Sequence, residues 1–198
     1  LEGRDGDDTL HGGSGNDTLI GGTGDDVLDG DGGTDTASYL GHPSAVTADL
    51  DGVQDDGAAG EDDWIQSTVE NLAGSSHGDT LTGDGNDNTI HGDACSLLCD
   101  GFSGGDDTIL GGNGDDYLYG WGGDDYAHGQ GGADVISGSN GEDDLYGGVG
   151  ADTISGGNND DNLNGGSSYD ALDGGSGVAD WCDTSADGGT KSGCEYPL

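Results

Sequence analysis

The chain has 198 residues, of which 47 are Gly and 42 are Asp or Glu, against two basic residues, Arg4 and Lys191. A formal net charge of −40 excludes nucleic acid as a partner, because phosphate contacts need Lys and Arg. No run of about 18 apolar residues exists, which excludes a membrane-spanning helix.

With 29% apolar residues, one Phe and no Met, such a chain cannot bury enough surface to offset its ordering entropy and self-repulsion. The composition therefore predicts a thin core with bound cations supplying the missing stabilisation.

In chain order, residues 3–38 hold four units of nine: Gly3–His11, Gly12–Ile20, Gly21–Asp29 and Gly30–Ser38. Their sixth positions are Asp8, Asp17, Asp26 and Asp35, and their eighth are Leu10, Leu19, Leu28 and Ala37. Residues 39–73 break the pattern. Alternation predicts a strand over Ala45–Leu50, an acidic loop over Asp51–Asp63, and one or two short strands within Trp64–Leu72, with Trp64 covering an apolar patch. Residues 74–91 restore the register in two imperfect units, the first with Asp79 and Leu81, the second with Asn88 and Ile90. Asn88 can still offer an oxygen. Residues 92–101 read as a ten-residue loop thrown out between units, carrying Cys95 and Cys99.

From Phe102 to Asp173 the chain divides into eight units with the pattern Gly-Gly-x-Gly-x-Asp-x-U-x, U being apolar. The sixth position reads Asp107, Asp116, Asp125, Asp134, Asp143, Asp152, Asp161 and Asp170. The eighth reads Ile109, Leu118, Ala127, Ile136, Leu145, Ile154, Leu163 and Leu172. A following unit at Gly174 fails, with Ala179 where Asp belongs and Asp180 one place late. A fixed period of this kind marks a solenoid and matches the calcium-binding nonapeptide.

Glycines at positions one, two and four are expected to turn the backbone through positive φ. The x-U-x segment is extended, with U pointing inward. Two units make one coil, so Asp107, Asp125, Asp143 and Asp161 line one edge and Asp116, Asp134, Asp152 and Asp170 the other. Asp8 pairs with Asp26, and Asp17 with Asp35. Two carboxylates one coil apart, with turn carbonyls, form an all-oxygen cage suited to Ca²⁺, which takes about six to eight oxygens. Roughly eight to ten such ions would about halve the net charge.

These repeats resemble the RTX, or hemolysin-type, calcium-binding family. The resemblance implies an all-β fold, a right-handed parallel β-roll with Ca²⁺ in the Gly/Asp turns. It also implies which carbonyls join the carboxylates: positions two and four of one turn, one and three of the next coil. Among these are Gly105, Gly114, Gly123, Gly132, Gly141 and Gly150 at the fourth position, and Gly120, Gly129, Gly138, Gly147, Gly156 and Gly165 at the first. The segment 39–73, ending in Glu-Asn-Leu-x-Gly-Ser, resembles interruptions common within RTX arrays. It is expected to continue the solenoid with wider coils. The chain then reads as one continuous domain: a first block 1–38, the wider coils 39–73, a main block 74–181 and a cap 182–198.

Four cysteines allow three pairings. Cys95–Cys99 and Cys182–Cys194 are favoured, because each pair brackets one irregular segment; the tail bridge would contribute roughly 2–3 kcal/mol. A zinc site from His91, Cys95 and Cys99 is the alternative, lacking an evident fourth ligand. Disulfides and millimolar calcium place the chain outside the cell, secreted or at the cell surface. Leu1 opens almost directly into a repeat, which reads as a mature product or an excised fragment. An uncovered first coil would offer its edge to another protomer or a neighbouring domain.

Gly74-Ser75-Ser76-His77-Gly78 matches the hydrolase elbow Gly-x-Ser-x-Gly, but that motif needs a helix after it. Asp84–Asn88 resembles the start of an EF-hand loop without its later Gly and Glu. The five His residues are scattered. The chain is expected not to be an enzyme. Competing functions are a structural or adhesive calcium-binding module, the C-terminal module of a secreted hydrolase, and a self-assembling surface-layer or filament subunit. Ice binding would need a ladder of repeated Thr or Asn, and the seventh positions Thr108, Tyr126, Asp144 and Asn162 do not form one.

Overall fold

An apolar residue at one place in every nine can be buried only if equivalent places superpose, and coiling the chain superposes them. The computed structural model describes residues 1–93, 104–184 and 189–195. These form 21 strands and no helix. Successive strands of the repeats alternate between two sheets, one of ten strands and one of eleven. The fold is an all-β parallel solenoid of about ten turns.

In the regular run, pairing is parallel and offset by 18 residues. Leu118 faces Ile136, Ile154 and Leu172 in succession. On the other sheet Ile109 faces Ala127, Leu145 and Leu163. These eighth-position side chains meet between the sheets and are sealed from solvent. The core is thus a single file from each sheet, as the low apolar content requires.

Strands of the regular run are longer than x-U-x. Tyr117–Gly122 includes the first three positions of the next unit, with Leu118 and Gly120 both buried. The first-position glycine therefore points inward along with U, and it is extended, not left-handed. It must be Gly for a different reason from the one expected. A Cβ on Gly120 would collide with the Asp125 carboxylate. Positions two and four take positive φ in most units, even where the residue is not Gly: Trp121 (81°), Gln130 (76°) and Ser139 (87°) at the second, Asn159 (78°) and Ser168 (106°) at the fourth.

The interruption is absorbed by one sheet only. Ala37 pairs directly with Leu72, so the ten-stranded sheet passes it without extra strands. In the other sheet Asp63–Ile65 lies beside Val27–Asp29, and Val46–Asp49 lies beside Thr80–Thr82. Between them runs Gln54–Ala58, antiparallel to both neighbours. The expected acidic loop therefore contains a strand. Its sequence hides it because the inward residue is Asp56, whose carboxylate accepts the N–H groups of Asp49 (2.7 Å) and Ile65 (3.2 Å). Trp64 stays on the outer surface, with Nε1 donating to the Gly52 carbonyl at 2.9 Å.

Gly92 holds the first position of the Asp107 unit, where the sequence reading put Phe102. A Cβ on Gly92 would strike Asp107 Oδ2, the same relation Gly120 has to Asp125. Extra chain therefore enters inside a unit, between Asp93 and Gly104. Cys95 and Cys99 lie outside the described residues. At the other end Cys182 takes an eighth-position place, facing Leu163, and is bonded to Cys194. Lys191 faces Leu172, and its Nζ donates to the Cys182 carbonyl at 2.7 Å.

Candidate metal centre

Each unit delivers its sixth-position Asp to the turn just before the strand begins. There Oδ1 accepts the backbone N–H of the equivalent residue one coil earlier. On one edge Asp107 donates to Asp125 (2.9 Å), Asp125 to Asp143 (2.9 Å) and Asp143 to Asp161 (3.0 Å). On the other, Asp116 donates to Asp134 (2.9 Å), Asp134 to Asp152 (2.9 Å) and Asp152 to Asp170 (3.1 Å). Asp8 donates to Asp26 at 2.8 Å and Asp17 to Asp35 at 2.7 Å. The two edges read from the sequence are thus real ladders.

The second oxygen behaves differently. Oδ2 of Asp26, Asp35, Asp107, Asp116, Asp125, Asp134, Asp143, Asp152, Asp161 and Asp170 is buried with no hydrogen-bond donor in the protein. A buried carboxylate oxygen without a partner is costly. A recurrence this regular, always of the same atom, points to a missing positive partner.

The surroundings fit a hard cation. A Cβ on Gly129 would meet both Asp134 Oδ2 and the Gly147 carbonyl, so only Gly leaves that space free. Gly120 relates in the same way to Asp125 and Gly138, Gly147 to Asp152 and Gly165, and Gly156 to Asp161 and Gly174; Gly138 and Gly165 lie against Asp143 and Asp170. Fourth-position carbonyls stack beneath the next coil: Gly105 under Gly123, Gly114 under Gly132, Gly123 under Gly141, and Gly132 under Gly150. The available donors are all oxygens, the set that Ca²⁺ prefers.

A family model, the RTX calcium-binding nonapeptide repeat (4 copies), matches residues 2–37, 70–96, 103–136, 123–154 and 137–172. That is more than half of the chain. The chain belongs to the RTX calcium-binding nonapeptide repeat family. No curated protein matches it.

In this RTX array, burial holds the ion-free carboxyls above the ordinary Asp range. Asp107 and Asp125 are pushed up to about 8, Asp161 to about 7, and Asp116, Asp143 and Asp152 to about 6. Desolvation is the main cause. The N–H bond from the previous coil opposes it, and neighbouring carboxylates reinforce it.

Four ladder members escaped the nonapeptide pattern, one of them Glu195, whose Oε2 accepts the Asp180 N–H at 3.0 Å. Asp63 Oδ1 accepts the Asp26 N–H at 2.8 Å, Glu70 Oε2 the Asp35 N–H at 2.8 Å, and Asp180 Oδ1 the Asp161 N–H at 3.0 Å. Asp63-Trp64-Ile65, Glu70-Asn71-Leu72 and Asp180-Trp181-Cys182 each keep an acid two places before an apolar residue. That shorter signal, freed of its glycines, finds Asp63, Glu70 and Asp180. Asp180 thus fills the place that Ala179 was expected to leave empty.

Asp79 and Asn88 also join the ladders, donating to Asp107 (2.7 Å) and Asp116 (2.8 Å). The elbow-like Ser75 is buried, and its hydroxyl donates to Asp79 Oδ1 at 3.1 Å. That bond makes it a turn residue, and no helix follows it among the described residues. His11 lies beside Asp29 and Asp31 at the surface, with Nδ1 to Asp29 Oδ2 at 3.2 Å, away from the ladder carboxylates.

Proposed function

We propose that this chain is a structural or adhesive calcium-dependent roll of an extracellular protein, secreted or at the cell surface, with no catalytic role. The observation that carries this reading is the run of ten buried Oδ2 atoms without a protein donor. The ligands would be those carboxylates, joined by the first- and fourth-position carbonyls from Gly105 to Gly165 named above. Bound calcium supplies positive charge at each turn and neutralises the paired carboxylates. The chain's own part is to hold the carboxylates one coil apart through the Oδ1 bonds, and to keep the turn open with glycine.

At neutral pH without calcium, the −40 charge and the thin core leave the fold without net support. Millimolar calcium outside cells would then switch it from unfolded to folded. A calcium titration followed by circular dichroism tests this. The expected result is a cooperative gain of β signal at neutral pH. An unchanged β signal in excess chelator at neutral pH would refute it.

A further inference from the structure

The donorless oxygens fall in two runs. Asp26 and Asp35 precede the interruption, and the series from Asp107 to Asp170 follows it. Asp56, Asp63 and Asp79 lie between the runs and are equally buried, at 2% exposure each. None of them has an orphan oxygen. Burial therefore does not explain the difference; the partners do.

Each of these carboxylates has a protein donor in the place where the flanking repeats have none. The Tyr39 hydroxyl donates to Asp63 Oδ2 at 3.1 Å. The Ile65 N–H donates to Asp56 Oδ2 at 3.2 Å. The Ser75 N–H donates to Asp79 Oδ2 at 2.5 Å, while Val46 N–H and the Ser75 hydroxyl serve its Oδ1. At Asn88 the side chain is itself a donor: Nδ2 points to the Glu70 carbonyl at 2.9 Å, and Oδ1 accepts the Asp84 N–H at 2.9 Å. A donor hydrogen on these oxygens occupies one of the lone pairs a cation would use and already supplies the positive partner that the flanking Oδ2 atoms lack.

The same stretch has a different source of stability. Tyr39, Val46, Ala48, Leu50, Ala58 and Val69 are buried in addition to the eighth-position residues. Tyr39 serves both ends, burying its ring and spending its hydroxyl on Asp63. Apolar burial here does what a bound cation does in the repeats.

We infer that the ladder turns at Asp63, Asp79 and Asn88 take no calcium, so that this seam divides the ladder-bound ions into two separate blocks. This rests on the calcium reading above and deepens it by stating which turns bind and which do not. One block is served by Asp26 and Asp35, the other by the carboxylates from Asp107 to Asp170.

The test is the number of ions bound by the full chain at saturating calcium, read by native mass spectrometry. Asp63→Asn and Asp79→Asn should bind as many ions as the unsubstituted chain, and Asp125→Asn at least one fewer. Loss of an ion in either seam variant would overturn the inference, as would an unchanged count in Asp125→Asn. Should a seam variant fail to fold, a crystal structure of the unsubstituted chain grown in calcium decides. Ions on the flanking Oδ2 atoms and none on Asp63 or Asp79 would support the inference. An ion on either seam residue would overturn it while leaving the calcium reading intact. No ion in any turn would instead refute the calcium reading itself.

Discussion

Asp125 accepts the Asp107 backbone N–H through Oδ1 at 2.9 Å and leaves Oδ2 buried without a donor. One side chain thus performs two tasks with two atoms. Oδ1 holds the spacing between coils in the folded chain, while Oδ2 is left without a donor from the protein. In the coils that carry an orphan Oδ2 the ladder is complete in hydrogen bonds and incomplete in charge.

Asp134→Ala should therefore cost far more than Asp8→Ala. Removing Asp134 strands the Asp116 N–H it accepts and removes one of the oxygens proposed to hold calcium. The stranded donor alone costs about 1–3 kcal/mol. Asp8 is half-exposed, so water can replace what it contributes. The measurement is the thermal midpoint of both variants at one fixed calcium concentration. Equal losses would contradict the stacked-coil ladder.

Leu145 sits between Ala127 and Leu163 in a core one side chain wide. Leu145→Ala should lower stability by about 2–5 kcal/mol, the usual range for a buried leucine. Leu145→Asp should abolish the cooperative transition even in saturating calcium, because a lone charge there has no partner. A Leu145→Asp chain that melts like the parent would show that the eighth position is not inside.

Stability against pH should invert when calcium is removed. The ion-free carboxyls of Asp107 and Asp125 are raised to about 8 and that of Asp161 to about 7, against about 3.9 in an unfolded chain. A raised folded value means that the fold binds protons more tightly than the unfolded chain does. That stabilisation is complete below about pH 4 and is lost as pH rises through about 6 to 8. In chelator, the β signal should be larger at about pH 5 than at pH 8. With calcium the ions displace those protons, so binding near neutral pH should release protons and weaken on acidification. A chelated chain whose β signal rises with pH would contradict this.

Gln130 occupies a second position at φ 76° and is exposed. Left-handed backbone costs an L-residue roughly 1–2 kcal/mol, part of which Gly gives back as unfolded-state entropy. Gln130→Gly should therefore raise the thermal midpoint by up to a few degrees without altering calcium binding. A lower midpoint would show that the side chain earns its place by contacts the backbone argument omits.

Period, edges and core were legible in the sequence because each depends on positions repeated at short range. Leu118 meets Ile136, and Asp116 meets Asp134, simply because two units close one coil. The Asp63, Glu70 and Asp180 ladder members were not legible, since they keep the acid and the apolar residue but lose the glycines. Nor was the strand Gln54–Ala58, whose inward residue is an aspartate satisfied by N–H groups from two other segments. The first-position glycine was read correctly as necessary but for the wrong reason, because a collision with a side chain five residues on is a fact of packing.

By itself, then, the sequence determined a solenoid of stacked calcium-binding-type nonapeptides, because local geometry superposes equivalent residues at every coil. Only the tertiary structure decided which carboxylates are left with a buried oxygen that no protein donor serves. Tyr39 reaches Asp63 across 24 residues, and Asp26 reaches Asp63 across 37. Neither distance is a multiple of the repeat. Such pairs depend on how the excess chain packs into one sheet, and no periodicity encodes that.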